Sequence, residues 1–175
     1  LKDIPAGNEY SYLETPVTKV LVAPYDAKQI YMAQISNLDK KYDPAIEPIR
    51  ALYDEYFGGG MNSIVFQEMR ETRGLAYSAW ASIMPPSYLK YPYVLRTQIA
   101  TQNDKMIDAV TTFNDIINNM PESEAAFKLA KDGLTNRLRT ERIIKGDIIW
   151  SYINAQDLGQ NVDPRIKLYN DIQNM

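Results

Sequence analysis

Three consecutive glycines, Gly58-Gly59-Gly60, stand just before a stretch that reads as a helix start at Asn62 or Ser63. Free N–H groups at a helix N-terminus attract anions, so a glycine turn in that position invites a phosphate-loop reading. Such loops need a lysine after the glycines, and here Met61-Asn62-Ser63 stands where Gly-Lys-Ser is required. No GxGxxG spacing is present either. The glycines serve equally well as the cap of one helix and the turn into the next. Glu68 and Glu71 share one helix face at a spacing that two metal carboxylates can use, but Arg70 and Arg73 beside them offset the charge. The basic run Arg137, Arg139, Arg142 and Lys145 is interrupted by Glu141 and reads as one solvated helix face.

The chain's two missing residue types narrow the chemistry further. Among 175 residues there is no cysteine and no histidine. Disulfides, thiolate nucleophiles and Cys-ligated zinc are thereby excluded, as are Ser-His and Cys-His catalysis and every His-ligated metal. Any metal would have to rest on carboxylates and carbonyls, which suits calcium or magnesium better than zinc. The net charge is −3, a poor start for a nucleic-acid partner. Apolar residues make up 45% of the chain and charged ones 23%, the balance of a globular protein with enough length to bury its own core. The 13 tyrosines fit half-buried strand and helix positions.

The elements that must position these residues can be read from hydrophobic periodicity. Residues 1–16 form an approach segment or linker, and residues 17–175 one α+β domain. Val17 to Ala23 is rich in β-branched residues and predicts a strand, with Pro24 to Ala27 as a turn. Gln29 to Ser36 alternates as a second strand, so the pair is expected to form an antiparallel hairpin. Asp43-Pro44 predicts a helix start, and Ile46, Ile49, Leu52, Tyr53, Tyr56 and Phe57 form its apolar stripe. A second helix runs through Phe66 and Met69 and stops at Gly74. Leu75 to Ile83 and Tyr91 to Ala100 alternate as strands, separated by Pro85-Pro86. Helices follow: one marked by Ile107, Val110, Phe113 or Asn114, and Ile117; one by Phe127, Ala130, Leu134 and Leu138; a third capped by Asp147 and ending at Gly159; a fourth capped by Asp163-Pro164. Strands this close in sequence leave no room for parallel crossovers. The expected fold is therefore α+β, an antiparallel sheet of about four or more strands with helices packed on one face.

The segment from Phe57 through Gly58-Gly59-Gly60, Phe66-Gln67-Glu68-Met69-Arg70-Glu71 and Gly74-Leu75-Ala76-Tyr77-Ser78 has a further significance. It resembles the signature of the second repeat domain in pitrilysin/insulysin-type zinc metallopeptidases, the family that includes mitochondrial processing peptidase. The resemblance implies a clamshell of homologous halves, each built of two α+β repeats. One half carries His-x-x-Glu-His and zinc; the other is catalytically silent and holds the peptide. Having no histidine, this chain is not the zinc-bearing repeat. The resemblance puts Arg70 and Tyr77 at the positions of an arginine and a tyrosine that reach from the silent half toward the zinc. A guanidinium and a phenol there can donate to a substrate carbonyl, more strongly as its oxygen becomes an oxyanion. It also puts Gly58 to Gly60 along the peptide path, where glycine lets a substrate backbone come close. A dipole-compensating helix arginine and a sheet tyrosine are the plainer alternative for Arg70 and Tyr77.

The expected function follows from that resemblance. The chain is a non-catalytic, substrate-binding domain of a zinc metalloendopeptidase, with no catalytic residue and no metal ligand of its own. Zinc and general base come from a homologous domain in cis or in trans. The alternative is a scaffold domain of a family member without peptidase activity. The chain is further expected to be a piece of a longer protein, lacking the last strand of its fold. It has no 18-residue apolar run for a transmembrane helix, and a soluble location in the cytoplasm or a bacterial periplasm is expected.

Overall fold

A computed structural model describes residues 16–175. Three strands form one antiparallel sheet: β1 (Gln29–Lys41), β2 (Ser78–Met84) and β3 (Pro92–Gln102). The longest, β1 and β3, lie side by side, and the order across the sheet is β1-β3-β2. Register pairs Met32 with Ile99 and Ala79 with Ile99, so these side chains share one face. Against that face pack α1 (Glu47–Tyr53), α2 (Ile64–Phe66), α3 (Met106–Asn118) and α4 (Glu124–Thr140), with α5 (Ile148–Asp157) and α6 (Pro164–Asn174) following. The α+β class and the single helical layer agree with the sequence pattern. Among the described residues, however, the sheet has three strands and not four.

The difference lies in Val17 to Ala23. These residues form no strand, and Val20, Leu21 and Val22 are almost fully exposed. β-branched composition favours an extended backbone but supplies no ladder. β1 pairs with β3 on one side, and its outer edge has no strand partner among the described residues, so Val17 to Ala23 do not extend the sheet there. Helix α1 also begins later than Asp43-Pro44 predicted. The Asp43 carboxylate accepts from the Ala45 N–H at 2.9 Å and its carbonyl accepts from the Ile46 N–H at 3.0 Å. That turn precedes a helix whose first-turn proline is Pro48.

Both central helices widen. After Tyr53, α1 continues as a π-helical stretch, Asp54–Gly58, and after Phe66, α2 continues as another, Gln67–Thr72. Ser63 caps α2 through a hydroxyl that accepts from the Phe66 N–H at 3.3 Å. Phe57, Val65, Met69, Phe113 and Ile172 are fully buried and meet Ala81 and Ile99 of the sheet in one core. In α3 the buried residues are Ala109, Phe113 and Ile116, while Ile107 is exposed, so the core-facing stripe is rotated from the predicted one. Helix α4 ends at Thr140, and Glu141 is already extended. The basic run is thus split: Arg137 and Arg139 are on the helix, Arg142 and Lys145 beyond it.

The π-helical end of α1 lies directly on β2. A Cβ on Gly58 would stand 2.0 Å from the Ala81 carbonyl oxygen and 2.6 Å from its nitrogen. One turn earlier, Asp54 accepts from the Ile83 N–H at 2.7 Å and from the Ser82 hydroxyl at 3.1 Å. Arg50 completes this clamp, bonding Asp54 at 2.7 Å and the Ile83 carbonyl at 3.1 Å. Burial raises the Asp54 carboxyl above its ordinary pKa, against the opposing pull of the Ile83 N–H and Arg50.

Candidate functional site

Arg70 and Tyr77 are brought together by a tight reversal of the chain. Arg70 stands in the π-helical stretch after α2, one turn past Phe66. The Gly74 N–H closes the helix onto the Arg70 carbonyl at 3.1 Å, and Gly74 adopts φ +58°, a left-handed turn suited to glycine. The N–H groups of Leu75 and Ala76 then both reach the Met69 carbonyl, at 2.8 and 3.1 Å. These bonds tie residues 75–76 to the helix end, which explains why β2 begins at Ser78 and not at the predicted Leu75. The Tyr77 N–H donates to the Ala100 carbonyl at 2.8 Å, anchoring the tyrosine to β3. From that strand Thr101 donates its hydroxyl to the Leu75 carbonyl at 2.5 Å, and Lys105 reaches the Gly74 carbonyl at 3.0 Å.

The side chains meet on the outside of this reversal. The Arg70 guanidinium carbon lies 5.7 Å from the Tyr77 ring centre and 5.0 Å from that of Phe66. Both spacings suit a cation over an aromatic face, worth about 0.5–1 kcal/mol at an exposed position. The clamp leaves both groups open: Tyr77 is 71% exposed and the Arg70 side chain 46%. Arg70 also lies 3.6 Å from the Glu71 carboxylate. A guanidinium with several N–H donors and an adjacent phenol can together donate to a carbonyl oxygen approaching from solvent. The sequence marks Phe66 only as a helix residue; its four-residue spacing from Arg70 on a helix is the signal for their contact.

The glycines divide. Gly58 is buried under β2, whereas Gly59 is exposed and Gly60 half-buried. Gly60 borders a cleft of about 250 Å³ that includes Glu55, Asn62, Asp132, Gly133 and Asn136. On one side of it Arg137 bonds Glu55 at 2.6 Å. The acid pair raised as a metal site in the sequence is otherwise engaged, Glu68 with Arg73 at 3.3 Å and Glu71 with Arg70. Among the described residues no group of three or more acidic side chains could hold a metal ion. With no imidazole or thiol in the chain, these residues do not fit zinc. Nor is any helix among them long and apolar enough to cross a membrane.

A helix-widened turn, the reversal at Gly74 and a sheet with helices on one face define a domain whose relatives can now be placed. The sequence family described as the peptidase M16 inactive domain matches residues 13–134, well over half the chain. The chain belongs to that family, a catalytically silent relative of the zinc peptidases that the Phe57 to Ser78 segment resembles. No curated protein matches the sequence.

Solved structures carry the fold. A peptidase M16 inactive domain from Pseudomonas fluorescens superposes with a TM-score of 0.67 at 16% identity, covering 86% of this chain and 36% of that one. A protease from Helicobacter pylori gives 0.63 at 11% identity, with 85% and 36% covered. The inactive peptidase domain of a candidate zinc protease from Bordetella parapertussis gives 0.58 at 12% identity, with 83% and 78% covered. At such identities the likeness establishes the fold alone. The chain spans about a third of the length of the first two.

Proposed function

We propose that this chain holds peptide for a zinc metalloendopeptidase whose metal and general base sit in another domain. Arg70 and Tyr77 are the residues that reach the substrate. The observation that supports this reading best is their juxtaposition: two exposed hydrogen-bond donors, 5.7 Å from guanidinium carbon to ring centre, on backbone fixed by a helix end and a strand. Donors held on such elements need little reorganisation when charge develops on a carbonyl oxygen. Phe66 supports the guanidinium from behind. Gly59 and Gly60, the part of the glycine turn that solvent reaches, border the peptide path.

Chemically, the domain binds and orients, and it moves no proton. The carbonyl of the scissile bond gains negative charge in the transition state, and a phenol or guanidinium aimed at it stabilises that state more than the ground state. Tyr77→Phe in the full-length protein is expected to lower kcat for peptide hydrolysis about ten-fold or more with KM little changed. Steady-state kinetics on a fluorogenic peptide measures it. An unchanged kcat rejects the role given to Tyr77.

A further inference from the structure

The reversal between Arg70 and Tyr77 is held mostly by bonds between main-chain groups. The Arg70 carbonyl takes the Gly74 N–H, the Met69 carbonyl takes those of Leu75 and Ala76, and the Ala100 carbonyl takes that of Tyr77. The Leu75 carbonyl differs. It lies ahead of β2, which begins at Ser78, and so outside the ladder with β3. Its donor is a side chain, the Thr101 hydroxyl, at 2.5 Å. Thr101 is 3% exposed and stands near the end of β3, one residue past the carbonyl that holds Tyr77. Strand alternation puts it on the same face as the buried Ile99, the face that carries the helices. Burial alone would be served there by valine, which has the same shape and no donor. Nor does a buried hydroxyl in this strand find a partner by default. Thr97, the other buried threonine of β3, has one with no hydrogen-bond partner among the described residues.

We infer that Thr101 is a positioning residue for Tyr77, an inference that rests on the functional reading above. Its hydroxyl fixes the Leu75 carbonyl two residues ahead of the tyrosine, while Ala100 fixes the tyrosine's own N–H. Between those two points the chain has one path from the helix end to the sheet. Tyr77 is 71% exposed, so side-chain packing restrains it little and the main chain must do so. That restraint keeps the phenol beside Arg70, 5.7 Å from guanidinium carbon to ring centre. A donor stabilises developing charge only when it is aimed before the charge appears. Displacing such a group by about 1 Å can lower a rate by up to about 100-fold, even when the altered residue is far from the chemistry.

The test is steady-state kinetics on a fluorogenic peptide, using the full-length protein with Thr101→Val, Thr101→Ser, Tyr77→Phe and the Thr101→Val/Tyr77→Phe pair. Thr101→Val keeps the shape and removes the donor. It is expected to lower kcat about three- to ten-fold, no further than Tyr77→Phe does, with KM little changed. Thr101→Ser keeps the hydroxyl and is expected to stay within about two-fold of the parent. In the Tyr77→Phe background Thr101→Val should cost nothing more, because the group it positions is gone. Thr101→Ala is read alongside: its smaller side chain leaves room for a water at the Leu75 carbonyl and keeps the fold should valine not, and the same pattern is expected. A loss that repeats in full on top of Tyr77→Phe marks general disruption and overturns the inference. So does a Thr101→Ser as slow as Thr101→Val. A parental kcat in Tyr77→Phe removes the functional reading and this inference with it. A lowered kcat in Tyr77→Phe beside a parental one in Thr101→Val and Thr101→Ala removes only the positioning role.

Discussion

Replacing Gly58 with alanine tests whether the close approach of α1 to β2 holds the fold together. The new Cβ would stand 2.0 Å from the Ala81 oxygen, 2.6 Å from its nitrogen and 2.7 Å from its carbonyl carbon. Ordinary contact begins near 3.4 Å, so the helix end and the strand must separate by about 1.4 Å. All three atoms are backbone, and no rotamer change relieves the clash. Overpacking in a core costs about 1–3 kcal/mol, and a rigid neighbour puts this case at the upper end. Alanine returns up to about 1 kcal/mol in helix propensity, which leaves a net loss of about 2–3 kcal/mol. For a chain of this size each kcal/mol moves Tm by about 2–4 °C, so a fall of about 4–12 °C is expected by circular dichroism. Adding Ala81→Gly should rescue nothing, because it removes only a side chain. A Gly58→Ala Tm within about 2 °C of the parent, or recovery in the double variant, would refute the packing argument.

Gly133→Ala is the opposite case: an exposed α4 glycine whose new Cβ would meet only Glu55 Oε1 at 3.8 Å, so Tm should rise by the equivalent of about 0.5–1 kcal/mol. Arg50→Met leaves the Asp54 carboxylate without its cation. A carboxyl raised further by that loss stabilises the fold below its unfolded pKa and loses that contribution as pH rises through the folded value. The variant's deficit, about 1–3 kcal/mol at neutral pH in urea denaturation, should therefore shrink toward pH 3–4. Burial pushes the Tyr53 phenol up to about 12 and raises Tyr93 as well, with the Glu47 hydrogen bond assisting there. Their protons stay on in the fold while unfolded tyrosines lose theirs near pH 10, so stability should fall between about pH 10 and 12. Phenolate absorbance checks it: Tyr53→Phe should flatten that fall.

Helix limits were the most legible part of the fold. Ser63, Asp163 and Gly74 carry side chains or backbone angles that act only locally, and each stands where the residue type implied. The first strand failed because a strand is defined by its partner: Val17 to Ala23 has the composition, yet it pairs with nothing among the described residues, although β1 stands at the sheet edge with one side open. Stripe position in α3 failed for another reason. Ala109 is small and weakly apolar beside Ile107, yet it is the one that is buried, with Ile107 left exposed. The π-helical widening after Tyr53 and Phe66 left no mark in the periodicity. The motif brought Arg70 and Tyr77 forward as candidates; that the Arg70 guanidinium lies over both the Phe66 and the Tyr77 rings needed coordinates.

The clamp near the end of β2, the shortest of the described strands, has a consequence for how this sheet can grow. On β2 the Ile83 N–H and carbonyl are both occupied by side chains of α1, and Gly58 seals the Ala81 peptide group. A strand approaching from that flank finds no run of free backbone groups to pair with. The domain therefore resists edge-to-edge aggregation on that side without lysines or a bulge to repel newcomers, and the two residues that guard it, Arg50 and Asp54, are the ones whose loss would unmask a sticky margin.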